Sequence, residues 1–344
     1  MAAAAQAKSN SRETLRPWER WLILPFLFIL DWTLGYGNPR VQRLWARLFH
    51  ILSYPFLGAK RRITRANLAV AFPELTDREI SRLTRRNQRY LIEMGLDWLH
   101  FFIHPGDAEK RLDVAGNPVV QALRQRPPES QGVIFCTPHL GNWELEAHIS
   151  FLTGRPGAVI AATFNSPLLN RLVRHFRQAC PETEFIPVRG AARGLLKAWK
   201  AKRDLGLLID QNLSPRHGGV FVPFFGLAAA TSNLPATMAM HLNAEIYVTA
   251  CIKRQDGSFV LEAERLPASE RFSSPEELTA AVMLGYEAII RRHPEQYLWL
   301  YPRWRYIPEN APEEYRRRFP FYARLRPYRT DTKLFEQDTH HDLG

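Results

Sequence analysis

The segment Gly132-Val-Ile-Phe-Cys-Thr-Pro-His-Leu-Gly-Asn-Trp-Glu144 determines how the rest of the chain is interpreted. Its first half is apolar and bounded by glycine and proline, which is typical of a short buried strand. Its second half contains a glycine–asparagine turn signal, and Asn142 in the N-cap position predicts a helix over residues 143–153. A strand that leads through a loop into a helix is typical of α/β proteins, so the segment favours that class.

Two residues of this segment indicate chemistry. His139 is expected in the loop, and Glu144 in the first turn of the helix. A neutral imidazole is suited to taking a proton from an alcohol near neutral pH, and a carboxylate on its other nitrogen fixes the tautomer and stabilises the imidazolium. On one helix, residues five apart diverge by about 140°, so the loop has to fold His139 back toward Glu144. The pair alone is a weak signal, because histidine and carboxylate often occur at this spacing by chance.

Several further blocks increase the significance of the pair. They are Asn67-Leu-Ala-Val-Ala-Phe-Pro73, the apolar run 205–210 ending in Asp210-Gln211, Gly218-Gly-Val-Phe-Val-Pro-Phe-Phe-Gly226, Ala228-Ala-Ala-Thr231, His293-Pro-Glu-Gln-Tyr-Leu-Trp299 and Arg303-Trp-Arg305. In order and spacing the blocks resemble the bacterial lipid A biosynthesis acyltransferases, the lauroyl/myristoyl transferase family, within the glycerolipid acyltransferase-like H-x4-D/E group. The resemblance covers about residues 18–310.

The resemblance implies transfer of a fatty acyl group from acyl carrier protein to a hydroxyl of a lipid A precursor or a related glycolipid. It implies His139 as general base and Glu144 as the group that orients it. On the matching positions it also implies a substrate site, formed by Asp210, Gln211, Phe224, Phe225, Gly226 and Thr231. Further candidates for substrate binding are Asn142, Gly219 and Arg303, the last as a contact for phosphate groups. It implies neither a metal nor a redox cofactor. The phenylalanines are expected either to floor an acyl-chain channel or to pack in the core.

Two departures from the family pattern concern the acceptor. Tyr301-Pro-Arg-Trp-Arg305 stands where many members have a His-Arg-Arg-aromatic-Lys run. Ala162-Thr-Phe-Asn165 stands where an arginine is common. The same chemistry on a lysophospholipid, an amino-acid lipid or a polyketide-type lipid therefore stays open, as does a non-catalytic membrane lipid-binding protein.

The charge of the chain indicates an anionic partner. There are 46 Lys and Arg against 34 Asp and Glu, a net charge of +12, and the isoelectric point is near 9.9. Such a charge fits nucleic acid or an anionic membrane surface. Basic residues flank the apolar N-terminal segments, and zinc-finger and RNP-type patterns are absent, so the sequence favours a membrane over nucleic acid. The three cysteines have neither metal-ligand spacing nor an even count, which favours a reducing compartment.

The N-terminal segment is expected to anchor the protein to a membrane. Residues 21–30 are all apolar, and the apolar stretch over 21–34 spans only about 21 Å as a helix, less than the hydrocarbon core of about 30 Å. The sequence therefore favours a shallow or tilted helix, or a re-entrant hairpin formed with residues 44–57, over a signal peptide. The alternative is an unusually apolar core helix. We expect the catalytic domain to face the cytoplasm at a bacterial inner membrane.

The remaining pattern predicts the domain organisation. Residues 1–15 are expected to be disordered, 16–58 to anchor, 59–326 to form the acyltransferase domain and 327–344 to be a flexible tail. Strands are predicted over 132–137, 157–163, 184–188, 205–210, 245–252 and 258–264, and helices over 143–153, 166–179, 190–202 and 232–242. Helices are also predicted from the capping patterns at Thr76 and Ser274. This alternation predicts a three-layer α/β/α domain with a central, mostly mixed sheet. It agrees with the fold that the resemblance implies, the glycerol-phosphate acyltransferase type, preceded by the membrane-associated helices.

Overall fold

A mixed β-sheet forms the centre of the molecule, which is described by a computed structural model over residues 15–113, 117–127, 129–148, 153–161, 166–177 and 181–335. In chain order the strands are β1 Leu112–Asp113, β2 Ile134–Cys136, β3 Gly157–Ala161, β4 Thr183–Pro187, β5 Asp204–Leu207, β6 Gly219–Phe224, β7 Leu227–Ser232, β8 Ile246–Lys253, β9 Phe259–Arg265, β10 Tyr306–Pro308 and β11 Arg324–Arg326.

Seven of these strands form the central sheet, in the order β1-β9-β8-β2-β5-β3-β4. Strands β8, β2, β5, β3 and β4 run parallel to one another, whereas β9 is antiparallel to β8 and β1 is parallel to β9. The turn at residues 255–257 joins β8 to β9 as a hairpin, as predicted. Two further pairs stand apart from this sheet, an antiparallel β6–β7 hairpin and a parallel β10–β11 pair.

Helices cover the sheet and precede it. They are α1 Pro17–Thr33, α2 Pro39–Ser53, α3 Gly58–Ala71, α4 Asp77–Ile103, α5 Pro105–Arg111, α6 Pro118–Arg124, α7 Pro167–Arg177, α8 Ala191–Lys200, α9 Leu234–Leu242, α10 Pro275–Arg292 and α11 Glu313–Arg317, with 3-10 turns at Leu145–His148, Pro215–His217, Ser269–Arg271, Pro294–Gln296 and Thr332–Phe335. Helix α4 begins at the predicted capping box, in which the Glu79 carboxylate accepts from the Thr76 backbone N–H at 2.9 Å.

Alternate residues of the central strands enter two separate cores. Ile134 and Cys136 of β2 belong to the larger cluster, whereas Phe135 between them belongs to a smaller cluster. Because successive side chains of a strand point to opposite faces, the two clusters lie on opposite sides of the sheet. The larger core includes α10 side chains Val282 and Tyr286, and the smaller one includes Phe101 of α4. The predicted α/β class with a mixed central sheet is confirmed.

Two predicted elements differ from the structure. Residues 143 and 144 form a turn, and helical residues begin only with the 3-10 turn Leu145–His148, so Glu144 precedes the helical residues. The rest of that predicted helix, residues 149–152, lies outside the described residues. The segment Gly218–Gly226, for which no strand was predicted, contains β6 and the turn of the β6–β7 hairpin. Its turn places Phe225 and Gly226 at φ values of 48° and 71°.

The two ends of the chain are described in part. Residues 1–14 and 336–344 lie outside the described residues. Tyr328, inside the predicted tail, accepts a hydrogen bond from the Glu309 N–H through its carbonyl, and Phe335 packs on Tyr315 with ring centroids 4.9 Å apart. Among the described helices, none combines the length and the apolar character needed to cross a membrane.

Candidate active site

The topology of the sheet brings His139 and Asp210 together. Strand β2 ends at Cys136 and β5 ends at Leu207, and the two strands are parallel neighbours. His139 and Asp210 each follow their strand by three residues. Loops that follow the carboxyl ends of adjacent parallel strands emerge at the same edge of the sheet, which is where α/β proteins commonly bind ligands.

Asp210 holds His139 through two hydrogen bonds, one to the imidazole and one to the backbone. Nδ1 of His139 lies 2.6 Å from Oδ1 of Asp210, and the His139 backbone N–H donates to Oδ2 at 2.9 Å. With its hydrogen on Nδ1, the imidazole keeps the lone pair of Nε2 free to accept. The amide nitrogen of Gln211 lies 3.1 Å from Nε2 and can donate to it. The Gln211 side chain is exposed, so Nε2 lies next to the surface of the molecule.

Charges around Asp210 keep its carboxylate ionised. Burial by itself raises the pKa of this carboxyl, but the attraction and hydrogen bonds of His139, together with the charge of Arg303, hold the pKa below its usual value. Burial likewise raises the pKa of the neighbouring Tyr297 hydroxyl well above its usual value. The site therefore holds one buried anion against one imidazole, the arrangement that stabilises an imidazolium.

Glu144 does not occupy the position predicted for it. Its carboxylate lies 3.7 Å from the Arg177 guanidinium, and Asp210 makes the hydrogen bond to His139 that the sequence assigned to Glu144. The Trp143 ring, and not the Glu144 carboxylate, lies next to the imidazole, with ring centroids 5.0 Å apart. A role for Glu144 in catalysis stays a prediction.

The loop that carries His139 is fixed by backbone contacts. The Leu298 N–H donates to the His139 carbonyl at 3.0 Å, and the Asn142 N–H donates to the Cys251 carbonyl at 2.8 Å. Gly141 has φ +65°, and a Cβ there would lie 2.0 Å from the Cys251 carbonyl oxygen, so a larger residue would displace the loop. Asn142 is buried and accepts from the Trp98 indole at 2.8 Å, so it positions the loop and does not cap a helix.

Arg303 is buried and connects the Asp210 loop to the β6–β7 hairpin. Its guanidinium donates to the Ala230 carbonyl at 2.7 Å, to the Asn212 side chain at 3.3 Å and to the Thr231 hydroxyl. Asn212 in turn donates its backbone N–H to the Tyr301 hydroxyl at 3.0 Å. Arg303 and Thr231 thus position the site from within the core, whereas the sequence predicted substrate contacts for them.

The predicted phenylalanines pack in the core. Phe224 is fully buried and stacks on Trp304 with centroids 5.8 Å apart, and Phe225 is buried beneath Arg291. Gly219 begins β6 where a Cβ would lie 2.0 Å from the Leu213 carbonyl oxygen, and Gly226 completes the hairpin turn. Of the two expectations for the phenylalanines, core packing is the one the geometry matches. These four residues shape the hairpin next to the site.

A small apolar cavity lies on the Glu144 side of the site. Its volume is about 50 Å³, and its polar lining residues are Thr137, Trp143, Glu144, Glu146 and Arg177. The remaining walls are largely apolar: Phe135, Val159, Ile160, Ala161, Phe185, Leu207 and Leu208. Drug-sized ligands occupy pockets of about 300–1,000 Å³, so a long acyl chain would have to widen this one. Residues 162–165, where the sequence departs from the family pattern, follow Ala161 and lie outside the described residues.

Glu146 is a buried carboxyl next to the site that sequence reasoning missed. It accepts from the Thr137 and Thr249 hydroxyls, each at 2.7 Å, and from the Cys251 N–H at 3.0 Å. Burial raises the pKa of Glu146 to about 7, against the lowering effect of these three donors. In the sequence, Glu146 lies within the predicted helix 143–153, where a glutamate is ordinary. Only its contacts in the structure show that its carboxyl is buried.

The Glu146 carboxyl makes the stability of the protein depend on pH. A pKa raised above its unfolded value stabilises the fold at low pH, and this stabilisation is lost as pH rises through the folded pKa near 7. The contribution lost between about pH 4.5 and pH 8 is about 3 kcal/mol. We expect Glu146→Gln to flatten this part of the pH profile of the unfolding temperature. Profiles of equal slope for the variant and the wild type would contradict the assignment.

The sequence matches a family of known proteins. Residues 5–306 match the family described as bacterial lipid A biosynthesis acyltransferase. The chain is 25% identical over 306 residues to the lipid A biosynthesis lauroyltransferase of Escherichia coli K12, covering 87% of this chain and 95% of the relative. It is 27% identical over 310 residues to the lipid A biosynthesis palmitoleoyltransferase of the same organism, with the same coverage.

A solved structure also matches, more distantly. The 1-acyl-sn-glycerophosphate acyltransferase of Thermotoga maritima is 14% identical, with a TM-score of 0.36, over 75% of this chain and 99% of that chain. A likeness at this level is too weak to identify a fold or a site.

Proposed function

Because the chain belongs to the bacterial lipid A biosynthesis acyltransferase family, we propose that it moves a fatty acyl group from acyl carrier protein to a hydroxyl of a lipid A precursor or a related glycolipid. The observation that supports this proposal best is the geometry of the His139 imidazole. Buried Asp210 holds its Nδ1, and its Nε2 faces the exposed Gln211 side chain. Two relatives are named for lauroyl and palmitoleoyl transfer, which supports a fatty acyl donor.

In the proposed reaction His139 acts as general base. The acceptor hydroxyl displaces the Gln211 amide from Nε2 and gives its proton to that nitrogen as its oxygen attacks the thioester carbonyl. The resulting imidazolium is stabilised by the Asp210 carboxylate. When the tetrahedral intermediate collapses, the C–S bond breaks and the imidazolium returns the proton to the leaving thiolate. The products are the ester and the free thiol of the carrier, and His139 is neutral again.

An acidic carrier protein suits the charge on one face of the molecule. A cleft of about 420 Å³ opens between α2, α4, the end of β8 and the 3-10 turn Pro294–Gln296. Its basic residues outnumber its acidic ones, Glu93 and Glu295; the basic ones are Arg43, Arg47, Arg86, Arg89, Lys253 and Arg254. Charge complementarity of this kind accelerates encounter with an acidic partner and weakens with salt. The cleft therefore supports the carrier as donor.

The proposed function is tested by following lipid mass. Detergent-purified protein is incubated with acyl carrier protein thioesters of several chain lengths and with a Kdo-bearing lipid A precursor, with lysophospholipid and other hydroxyl lipids in parallel. We expect the precursor to gain the mass of one acyl group. If only another lipid gains the mass of an acyl group, that lipid and not the lipid A precursor is the acceptor. Loss of thioester without an acylated lipid would contradict acyl transfer. Acyl-coenzyme A in place of the carrier thioester tests the donor.

We also propose that α1 and α2 lie in the surface of a bacterial inner membrane, with the catalytic domain facing the cytoplasm. Helix α1 buries its two acidic residues, Glu19 and Asp31, each 2% exposed, against the protein, whereas its Arg20 is exposed. It exposes large apolar residues instead: Trp18, Trp21, Leu22, Phe26, Ile29 and Trp32. Helix α2 adds exposed Leu44, Leu48, Ile51 and Leu52. A contiguous apolar surface of this kind, next to arginines, is typical of an interfacial helix.

A matched pair of leucines tests the membrane surface. Leu22 on α1 is 66% exposed and Leu284 on α10 is 67% exposed, so a glutamate disturbs the fold equally little at either position. We expect Leu22→Glu to lower the membrane-bound fraction by about tenfold, from the lost burial of one leucine and the added charge. Flotation on vesicles that contain phosphatidylglycerol measures the fraction. Leu284→Glu is expected to float like the wild type; equal flotation of all three proteins would contradict the proposal.

A further inference from the structure

A second cluster of titratable side chains lies at the junction of the N-terminal helix and the body, away from His139. It consists of Asp31 near the end of α1, His100 in the last turn of α4 and His104, which joins α4 to α5. One oxygen or nitrogen from each residue lies within 4.8 Å of the others. The Asp31 and His100 side chains are each 3% exposed, and that of His104 is 14% exposed. Three ligand groups, two of them buried and one partly buried, therefore meet here.

The spacing of the three groups fits a divalent transition metal. Oδ2 of Asp31 lies 3.0 Å from Nδ1 of His100 and 3.2 Å from Nε2 of His104. In a tetrahedral zinc site with bonds of about 2.0–2.1 Å, neighbouring ligand atoms are about 3.3 Å apart. The buried Nε2 of His104 makes no hydrogen bond with any residue in the described part of the chain. A cation would satisfy this nitrogen and the adjacent carboxylate together.

The surroundings of the cluster match those of metal-bound histidines. Nε2 of His100, the nitrogen that faces away from Asp31, lies 3.4 Å from Oδ2 of Asp107. Metal-bound histidine usually donates its second ring nitrogen to a carboxylate or carbonyl in this way. The Tyr36 ring packs 4.6 Å from the His104 ring, and the Phe28 ring 5.3 Å from it, which limits the access of water. His100 and His104 also have the four-residue spacing found among zinc ligands.

We propose that Asp31, His100 and His104 bind a divalent transition metal, with zinc as the representative ion, and that Asp107 orients His100. Imidazole and carboxylate ligands suit zinc and its neighbours in the first transition row. The metal would join α1, which carries Asp31, to the end of α4. Its role would be to fix the orientation of the exposed apolar face of α1, and it takes no part in the chemistry at His139.

The test is a zinc titration of the full chain in detergent. The protein is stripped with EDTA, dialysed, and titrated with zinc sulfate against a chromogenic chelator, and the metal retained after desalting is measured by mass spectrometry. We expect one zinc per chain and a higher unfolding temperature when zinc is present. The wild-type titration does not depend on the folding of any variant, so failure to retain zinc at micromolar free concentration overturns the proposal.

Variants assign the zinc to the cluster. We expect Asp31→Asn and His104→Gln to lose the tightly held zinc, and Asp107→Asn to weaken its affinity by about 10–100-fold. His293→Gln is the matched control, because His293 pairs with a single carboxylate, Glu262, at 2.6 Å. The control is expected to retain one zinc. Equal retention by all of these variants would place the ion elsewhere on the chain and overturn the proposal. An unfolding temperature of the wild type that zinc and EDTA leave unchanged would overturn it as well.

Discussion

His139→Ala is expected to lower the rate of acyl transfer by about 10²–10⁴-fold, the usual contribution of a positioned general base. The substitution removes the nitrogen that receives the hydroxyl proton and leaves Asp210 without its partner at 2.6 Å. Substrate binding should change far less, because the imidazole contributes one partly exposed side chain to the site. The effect should therefore appear in kcat, measured as the initial rate of acyl-lipid formation at saturating donor and acceptor.

A surface histidine provides the control for this experiment. His241 is exposed on α9, and its Nδ1 lies 2.8 Å from the Thr237 carbonyl oxygen. We expect His241→Ala to transfer acyl groups at the wild-type rate. His139→Ala should retain the circular dichroism of the wild type. A His139→Ala protein that turns over at more than a tenth of the wild-type rate would exclude His139 as the base.

Asp210→Asn is expected to cost up to about 10⁴-fold in kcat, as loss of the correct tautomer does in other histidine–aspartate pairs. The carboxylate accepts one hydrogen bond from Nδ1 and a second from the His139 backbone N–H. An asparagine has a single acceptor oxygen, so its NH₂ group must face one of these two donors. If it faces Nδ1, the ring carries its hydrogen on Nε2 and has no lone pair for the acceptor hydroxyl.

The double variant shows whether the two residues act as a unit. Residues that share one function are strongly non-additive. We therefore expect His139→Ala combined with Asp210→Asn to be no slower than His139→Ala alone. Additive losses in the double variant would mean that Asp210 serves the reaction through another group, such as Arg303, and would remove it as the partner of His139.

The sequence predicted the fold well where periodicity was strong. The predicted strand over 245–252 lies at Ile246–Lys253, and the predicted helix over 166–179 contains Pro167–Arg177. The predicted helix over 143–153 begins too early, because the Asn142 side chain accepts from the Trp98 indole and does not cap the following residues. The sequence alone does not show whether an asparagine caps a helix or is buried against another element. Here the position of Trp98 on α4 decides it.

His139 and Asp210 were both predicted as site residues, but the hydrogen bond between them was not predicted. The H-x4-E pattern assigned the orienting role to Glu144 instead. The position of Asp210 depends on β5 lying next to β2 in the sheet, and strand order is not readable from the periodicity of a single chain. The Asp31 cluster was missed for the same reason, since 69 residues separate Asp31 from His100 and only the packing of α1 on α4 joins them.

The most direct test of the account compares the two candidate carboxylates in one assay. Single-turnover transfer from a carrier thioester to the lipid acceptor is measured for Asp210→Asn and Glu144→Gln beside the wild type. We expect Glu144→Gln to lose about tenfold or less, because it removes only a partly exposed contact to Arg177 at 3.7 Å. Asp210→Asn should be at least tenfold slower than Glu144→Gln. The reverse order would contradict the account and return the orienting role to Glu144.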